Sequence, residues 1–420
     1  MKTNIIKKLV SALVPIITAN FISAQTMSLK QIQDSVIANH PSMKIYDYEI
    51  KSMDAVAKGA KAWMPPTVGA GLYMAPYNVD LWRKRDGMNG MGAFELSVEQ
   101  MFPNKKDQDA KQAYMKAMSL VPKTNKQAKI NELLAEAKSQ YYDLYTLQKK
   151  IEVVQDNQKL LSFMINDAEI RYKNNMGKIN AYYKAKAALG SAKNMELMYA
   201  AEIRSKKIRL NSLMKRNAQE SFEINRNIEL KDYNDIVFTE ELFYNNRSDL
   251  KTLDNEIKIN SLKMETERTA LKPQFGVRYS NMLGFGGQPT QFSLMLMVKL
   301  PLVPWASKMN KANIESLKFQ EEVFQAEKKT MSNEMIGMAY GMRNEINLAK
   351  EQIALYENEI IPNLKKNYQT MQLGYQQNTE ELFELYDAWE KLNMTQLEYI
   401  EIITKALQNQ VTIDKLLEQF

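Results

Sequence analysis

The side chains able to do chemistry are few and unevenly chosen. The 420-residue chain has no cysteine and one histidine, against 27 methionines. Without cysteine there are no disulfides and no thiolate catalysis. A single imidazole, His40, excludes paired-histidine metal sites and gives no support to a Ser-His-Asp triad. His40 precedes Pro41 at a helix break, where a surface or packing role suits it. Methionine thioethers select soft Cu(I) or Ag(I). Met331, Met335, Met338 and Met342 follow a four-three-four spacing that equally serves a helix seam, where flexible methionine fills gaps. Met88 and Met91 lie in the loop YNVDLWRKRDGMNGMG. Met295 and Met297 are the pair whose placement would suit a metal path. No phosphate loop, nucleophile–base pair or pair of catalytic carboxylates stands out, so the chain reads as a non-enzyme without a cofactor.

These side chains must be held by something, and the N-terminus says where. MKTNIIKKLVSALVPIITANFISAQT has a basic start (Lys2, Lys7, Lys8), an apolar stretch from Leu9 to about Ile22, and small residues at Ser23-Ala24. That is the layout of a secretory signal, residues 1–24, cleaved after Ala24. Without those three lysines the formal charge of +7 falls to +4. The excess is mild and spread along the chain, which does not point to nucleic acid.

Proline and glycine then divide the chain. Between Lys123 and Lys272 there is no proline, and only Gly177 and Gly190 interrupt the span as glycines. Leu144, Leu147, Ile151, Val154, then Leu161, Ile165 and Ala168 keep the narrow three-four spacing of a coiled-coil seam. A helix from about Lys105 to Asn174 would be about 100 Å long. Prolines and glycines crowd instead into 59–103 and 273–304, where the apolar period changes to two. The spacing predicts very long helices alternating with two β-hairpins, at about 67–102 and 274–302.

The chain also repeats itself. At a constant offset of 207, Asn39, Lys44, Asp47, Glu49, Ile50, Lys51, Pro66 and Gly69 fall on Asn246, Lys251, Asp254, Glu256, Ile257, Lys258, Pro273 and Gly276. In each copy a helix ends at the same proline and a strand pair follows. We divide the chain after its leader into a first repeat, 25–235, and a second, 236–420. Each reads helix, hairpin, helix, turn, helix, with turns near Gly177 and Asn378. Ser28 with Gln31 forms a capping-box pattern, and Ser248 can cap the corresponding helix. Residues 221–245 lose the seam spacing and read as the linker between halves.

Each strand splits into two faces, because side chains alternate. Phe94, Leu96 and Val98 oppose Glu95, Ser97 and Glu99. Phe275, Val277 and Tyr279 oppose Gly276, Arg278 and Ser280. In QFSLMLMVKLPL, the greasiest run beyond the leader, Phe292, Leu294, Leu296, Val298 and Leu300 oppose Ser293, Met295, Met297 and Lys299. Val68, Ala70, Leu72 and Met74 oppose Gly69, Gly71 and Tyr73. Each strand thus reads with a wholly apolar face. That run is too short for a membrane helix, which takes about twenty apolar residues. No second amphipathic sheet is available to cover these faces. An apolar face towards lipid and a polar face towards water satisfy both sides, as in a transmembrane barrel. Trp63 and Trp305 flank the hairpins where interfacial aromatics sit. Four strands cannot close a barrel, for which about eight is the minimum. The chain must therefore oligomerise, with eight, twelve or sixteen strands from two, three or four copies. A structural coiled-coil protein whose hairpins merely cap helices is the alternative from another class.

With these residues in view, the chain resembles the outer membrane efflux protein family, the TolC-like outer membrane factors. The resemblance is carried by SLKQIQDSVIANHPSMK and RSDLK opening the two halves, ALKPQFGVRYS entering a strand, KLPL closing the second hairpin, and EIIPNLKKNYQTMQLGYQQNT before the second turn. Two departures stand out: RYKNNMG is longer than the usual tyrosine-x-x-glycine turn, and Asn378 stands where glycine is common. The family resemblance implies a homotrimer sharing a twelve-stranded barrel in the outer membrane of a Gram-negative bacterium, continued by a periplasmic helical tunnel. It implies two further partners, a periplasmic adaptor (membrane fusion protein) and an inner-membrane pump of RND or ABC type. Gly177, Lys178, Asn378 and Thr379 become the adaptor-docking tips, and Glu380, Glu381, Glu384 and Asp387 candidates for a charged constriction. A heavy-metal export component for copper or silver is the narrower variant of this reading.

Overall fold

The computed structural model describes residues 25–176 and 178–420; the expected leader and Gly177 lie outside the described residues. Among these residues ten α-helices and six strands form in chain order. They are β1 (Gln25–Met27), α1 (Leu29–Asn39), α2 (Ser42–Lys58), β2 (Thr67–Tyr73), β3 (Ala93–Phe102), α3 (Lys105–Ala117), α4 (Leu120–Lys173) and α5 (Ile179–Leu213). After them come β4 (Phe222–Ile224), α6 (Glu240–Asn246), α7 (Ser248–Ala270), β5 (Gln274–Gly284), β6 (Gln291–Lys299), α8 (Pro304–Leu355), α9 (Ile361–Gln376) and α10 (Leu382–Leu417).

Local chemistry sets the helix ends. Ser28 and Gln31 make the reciprocal capping box, with Ser28 N–H donating to Gln31 Oε1 at 2.8 Å and Gln31 N–H to Ser28 Oγ at 3.3 Å. Ser248 does not cap. It is the first residue of α7, and its N–H and hydroxyl donate to Glu418 at 2.8 and 2.6 Å, so a carboxylate from beyond α10 satisfies the helix start. The long helix expected from Lys105 is broken between α3 and α4. Pro122 has no N–H to give the carbonyl of Met118, and its ring crowds that carbonyl. A π-helical turn, Tyr356–Ile360, separates α8 from α9, which carries Pro362 in its first turn.

The seam is narrow, as a coiled coil requires. On α4, Leu144, Leu147, Val154, Leu161, Met164 and Ala168 are buried, while Ile151 and Ile165 are half-buried on its flanks. Burying each such large side chain contributes about 1.5–3 kcal/mol. One cluster joins α1, α4, α5 and α10 through Ile32, Leu144, Leu210 and Leu407. A second joins α4, α5, α9 and α10 through Leu161, Ala188, Tyr368 and Leu385. A third packs Tyr233, Phe238 and Phe243 against α7, α8 and α10.

The linker is more ordered than its composition suggests. Its β4 pairs in parallel with β1, with Gln25 opposite Phe222 and Met27 opposite Ile224. Three-residue strands are too short to show an alternation, so these two strands add to the four expected. Further along, Lys138, Lys231 and Tyr233 converge on Asp414, which is 1% exposed. Lys231 Nζ lies 3.0 Å and Tyr233 Oη 2.7 Å from its carboxylate. Burial pulls the Lys138 ammonium below the ordinary lysine value, partly offset by Asp414. This network pins the linker across α4 and α10.

Candidate functional site

Strands β2, β3, β5 and β6 form one antiparallel sheet in that order. Cross-strand partners share a face, so the register assigns every side chain. Leu72 pairs with Phe94, Ala70 with Leu96 and Val68 with Val98; Val98 also pairs with Tyr279, Tyr279 with Leu294, Val277 with Leu296, and Phe275 with Val298. Phe292 joins the same face opposite Asn281. The other face carries Glu95, Ser97, Glu99, Arg278, Ser280, Ser293, Met295, Met297 and Lys299.

The apolar face is uncovered. Phe94, Leu96, Val98, Phe275, Tyr279, Leu294 and Val298 are all exposed, and Leu296 reaches 83%. In a water-soluble chain such a patch would be an interaction surface or an aggregation hazard. It is not wholly apolar, contrary to the strand-by-strand reading: Gln100 and Asn281 lie on it, because both strands run further than the alternation used to find them. Gln100 is tied down, its side-chain amide donating to the Met64 and Met101 carbonyls at 3.0 and 2.8 Å. On the polar face Arg278 lies directly opposite Glu99 and 3.6 Å from the Glu95 carboxylate. The outer edges of β2 and β6 have no strand partner among the described residues. Among the same residues no helix is long and apolar enough to cross a membrane.

The turns of the two helical hairpins meet at the other candidate site. Arg171, in the last turn of α4, crosses to the second hairpin. Its guanidinium donates to the Asn378 side chain and the Tyr375 carbonyl, lies 3.9 Å over the Tyr375 ring, and is held by Asp167 at 2.8 Å. Tyr375 is 4% exposed and bonded to Asp167; burial and then that carboxylate push its hydroxyl up to about 12. Asn378 takes the left-handed conformation, φ +59°, which asparagine tolerates. The Thr379 N–H and hydroxyl fold back on the Gly374 carbonyl at 2.9 and 3.0 Å, and a Cβ on Gly374 would collide with Glu380. Lys184 lies 3.8 and 4.0 Å from the rings of Phe383 and Tyr386 and 3.4 Å from Asp387. A cavity of about 620 Å³ between the hairpins is lined by Arg171, Lys178, Glu380, Glu381, Phe383 and Tyr386, among others.

The structure therefore brings Lys178, Glu380 and Glu381 to one cavity and pairs Asp387, while Glu384 is exposed in the first turn of α10. Sequence reasoning missed Asp167, Arg171 and Tyr375, which hold the tips together. Their one local signal was the i,i+4 spacing of Asp167 and Arg171 at a helix end. His40 accepts a hydrogen bond from Ser42 N–H at 3.3 Å, and partial burial with Lys129 and Arg209 nearby lowers its pKa, as suits a packing residue. No three or more His, Cys, Asp or Glu side chains gather as a metal site among the described residues.

Long paired helices that carry one uncovered, two-faced, open-edged sheet define the class. No protein-family model and no curated protein sequence matches the chain. Solved structures do. The outer membrane protein VceC of Vibrio cholerae is similar at a TM-score of 0.73 and 14% identity, over 93% of this chain and 95% of that one. A membrane protein from Pseudomonas aeruginosa gives 0.76 and 12%, over 94% and 91%. The outer-membrane channel OprN gives 0.73 and 11%, over 93% and 90%. The fold is that of TolC-like outer-membrane channels.

Proposed function

We propose that the chain is the outer-membrane exit duct of a tripartite efflux or secretion system. In this reading three copies close a twelve-stranded barrel, with Phe94, Leu96, Val98, Phe275, Val277, Tyr279, Phe292, Leu294, Leu296 and Val298 towards lipid. Glu95, Ser97, Glu99, Arg278, Ser280, Ser293, Met295, Met297 and Lys299 line a water-filled bore. The observation that carries the reading is the exposed apolar face on a sheet whose two edges are both free among the described residues. In hydrocarbon an unpaired strand edge costs several kcal/mol per group, so only a closed ring of copies is stable there.

The helices continue the bore through the periplasm, and the tips around Lys178, Asn378 and Thr379 meet a periplasmic adaptor and, beyond it, an inner-membrane pump. Conduction is passive and energised by that pump. The hydrogen bonds of Arg171 to Tyr375 and Asn378 bind one hairpin to the other and hold the tip narrow. The test is fractionation followed by reconstitution. The duct requires the full chain in the outer-membrane fraction, as an oligomer that survives mild detergent and conducts ions in planar bilayers. A soluble periplasmic monomer would instead support a coiled-coil structural protein and sink this reading.

A further inference from the structure

On the polar face of the sheet one row consists of Met101 on β3, Gly276 on β5 and Met297 on β6. Because the middle residue is glycine, no side chain separates the two methionines. A Cβ at position 276 would run into Met101 Sδ and would lie 3.3 Å from Met297 Cε. The two thioethers therefore share the space above one glycine. Met295 stands on the same face in the next row, opposite Arg278 and 48% exposed. The row borders the helical end of the sheet, two residue pairs from Gln274 and Lys299.

We propose that Met101 and Met297, with Met295 as a third donor, form a binding site for a soft monovalent cation, Cu(I) or Ag(I). Thioethers are neutral, polarisable ligands that favour such ions over Zn(II) or Mg(II). Methionine's three rotatable bonds let two or three sulfurs turn towards one ion. The surrounding charges balance: Glu99 faces Arg278, and Glu95 lies within 3.6 Å of the same guanidinium, while Lys299 is two residues beyond Met297. A general cation sink would need net negative charge, so selectivity here rests on sulfur. The absence of cysteine removes any thiolate that would outcompete the thioethers. This goes beyond the duct reading, since it rests on the geometry of one row of the sheet and not on what passes through a bore.

Titration of the purified full-length protein with Ag(I), a redox-inert probe, tests it directly. One tight equivalent per chain is expected, weakened about tenfold or more by Met101→Leu or Met297→Leu, lost in the double variant, and unchanged by Met338→Leu on α8. Leucine conserves volume, so the variants should fold, and X-ray absorption of the wild-type complex gives a reading independent of any variant. A double variant that binds Ag(I) as the wild type does, or an absorption spectrum with no silver–sulfur shell, overturns the site. Binding that is lost only in the double variant, in a wild-type chain that conducts nothing, would remove the duct and leave the site standing.

Discussion

Lysine placed at two adjacent positions, 296 and 297, separates a membrane-facing strand from a strand in a water-soluble core. Leu296 is the sixth of nine residues in β6, so it lies near the middle of the strand, opposite Val277 on the uncovered apolar face. A lysine on the lipid face of a barrel costs about 2–4 kcal/mol near the bilayer midplane and about 0–1 near the interface. Repeated in the three copies of the proposed ring, Leu296→Lys would cost roughly 6–12 kcal/mol, comparable to the whole stability of an ordinary domain, about 5–15 kcal/mol. Met297 points to the other face. On the duct reading a lysine there would lie along the bore wall with its charge in water and cost little. The assay is the amount of detergent-resistant oligomer in the outer membrane, followed by single-channel recording of whatever assembles. Leu296→Lys should abolish the oligomer, whereas Met297→Lys should assemble and shift selectivity towards anions. Phe292→Lys, on the same face as Leu296 but near the strand end, should give an intermediate yield. Equal damage at 296 and 297 would mean that both faces are buried in protein, and normal insertion of Leu296→Lys would mean that this face never meets lipid. Either result refutes the reasoning.

Arg171→Ala removes the side chain that bonds the two tips, and each charge-assisted bond of this kind is worth about 1.5–3 kcal/mol. Open-channel occupancy in planar bilayers should rise at least about tenfold, while expression and oligomer yield stay unchanged. Asp414→Asn leaves Lys138 and Lys231 facing a neutral group beneath the linker and should destabilise the chain by about 3–5 kcal/mol in denaturant titration. Asp414→Leu combined with Lys138→Met should recover much of that loss. Burial and then the Asp167 carboxylate push the Tyr375 hydroxyl up to about 12, above the ordinary tyrosine value of about 10. Between these values the folded chain binds more protons than the unfolded one, so the stability this residue contributes is complete below pH ~10 and lost as pH rises towards ~12. The alkaline loss of stability should be shallower in Tyr375→Phe, and an identical profile would show that the hydroxyl is not linked to folding.

What could be read directly from the residues is what has a period. The alternation in Phe292–Leu300 is enough to fix two faces, and the register then keeps cross-strand neighbours such as Val277 and Leu296 together. Likewise the three-four spacing from Leu144 to Ala168 marks a seam, and Ser28 with Gln31 marks a helix start. Features without a period were not legible. β1 and β4 are three residues each and depend on a partner about 197 residues away, from Gln25 to Phe222. Arg171 joins Tyr375 and Asn378 across two hairpins, and Asp414 ties together α4, the linker and α10, so neither set of long-range contacts is legible locally beyond the i,i+4 spacing of Asp167 and Arg171. Ser248 looked like a cap by type, but Glu418 satisfies the helix start from the far end of the chain. The Met101–Gly276–Met297 row lies between these cases. Alternation singled out Met297, but its partner is across the sheet on Met101 and not along the strand on Met295, because glycine opens the lateral direction.

The free edge of the sheet is followed in the chain by an exposed apolar stripe on the next helix. β6 ends at Lys299 with its outer edge unpaired among the described residues, and α8 begins five residues later at Pro304. Along this passage Leu300, Leu302, Trp305, Met309, Phe319 and Val323 are exposed. The four-residue steps from Trp305 to Met309 and from Phe319 to Val323 keep helical spacing, so they repeat on one side of α8. Sheet edge and helix stripe call for different chemistry, backbone hydrogen bonds in one case and apolar contact in the other. A neighbour with the same succession of strand and helix would supply both, and on the proposed duct reading that neighbour is a second copy, whose α2 leads into its β2 edge strand. A lipid surface could cover the stripe but not the edge, and an unrelated soluble helix could cover the stripe but not continue the sheet. On the proposed duct reading, the free edge, more than the greasy face, is therefore the feature that calls for assembly from copies.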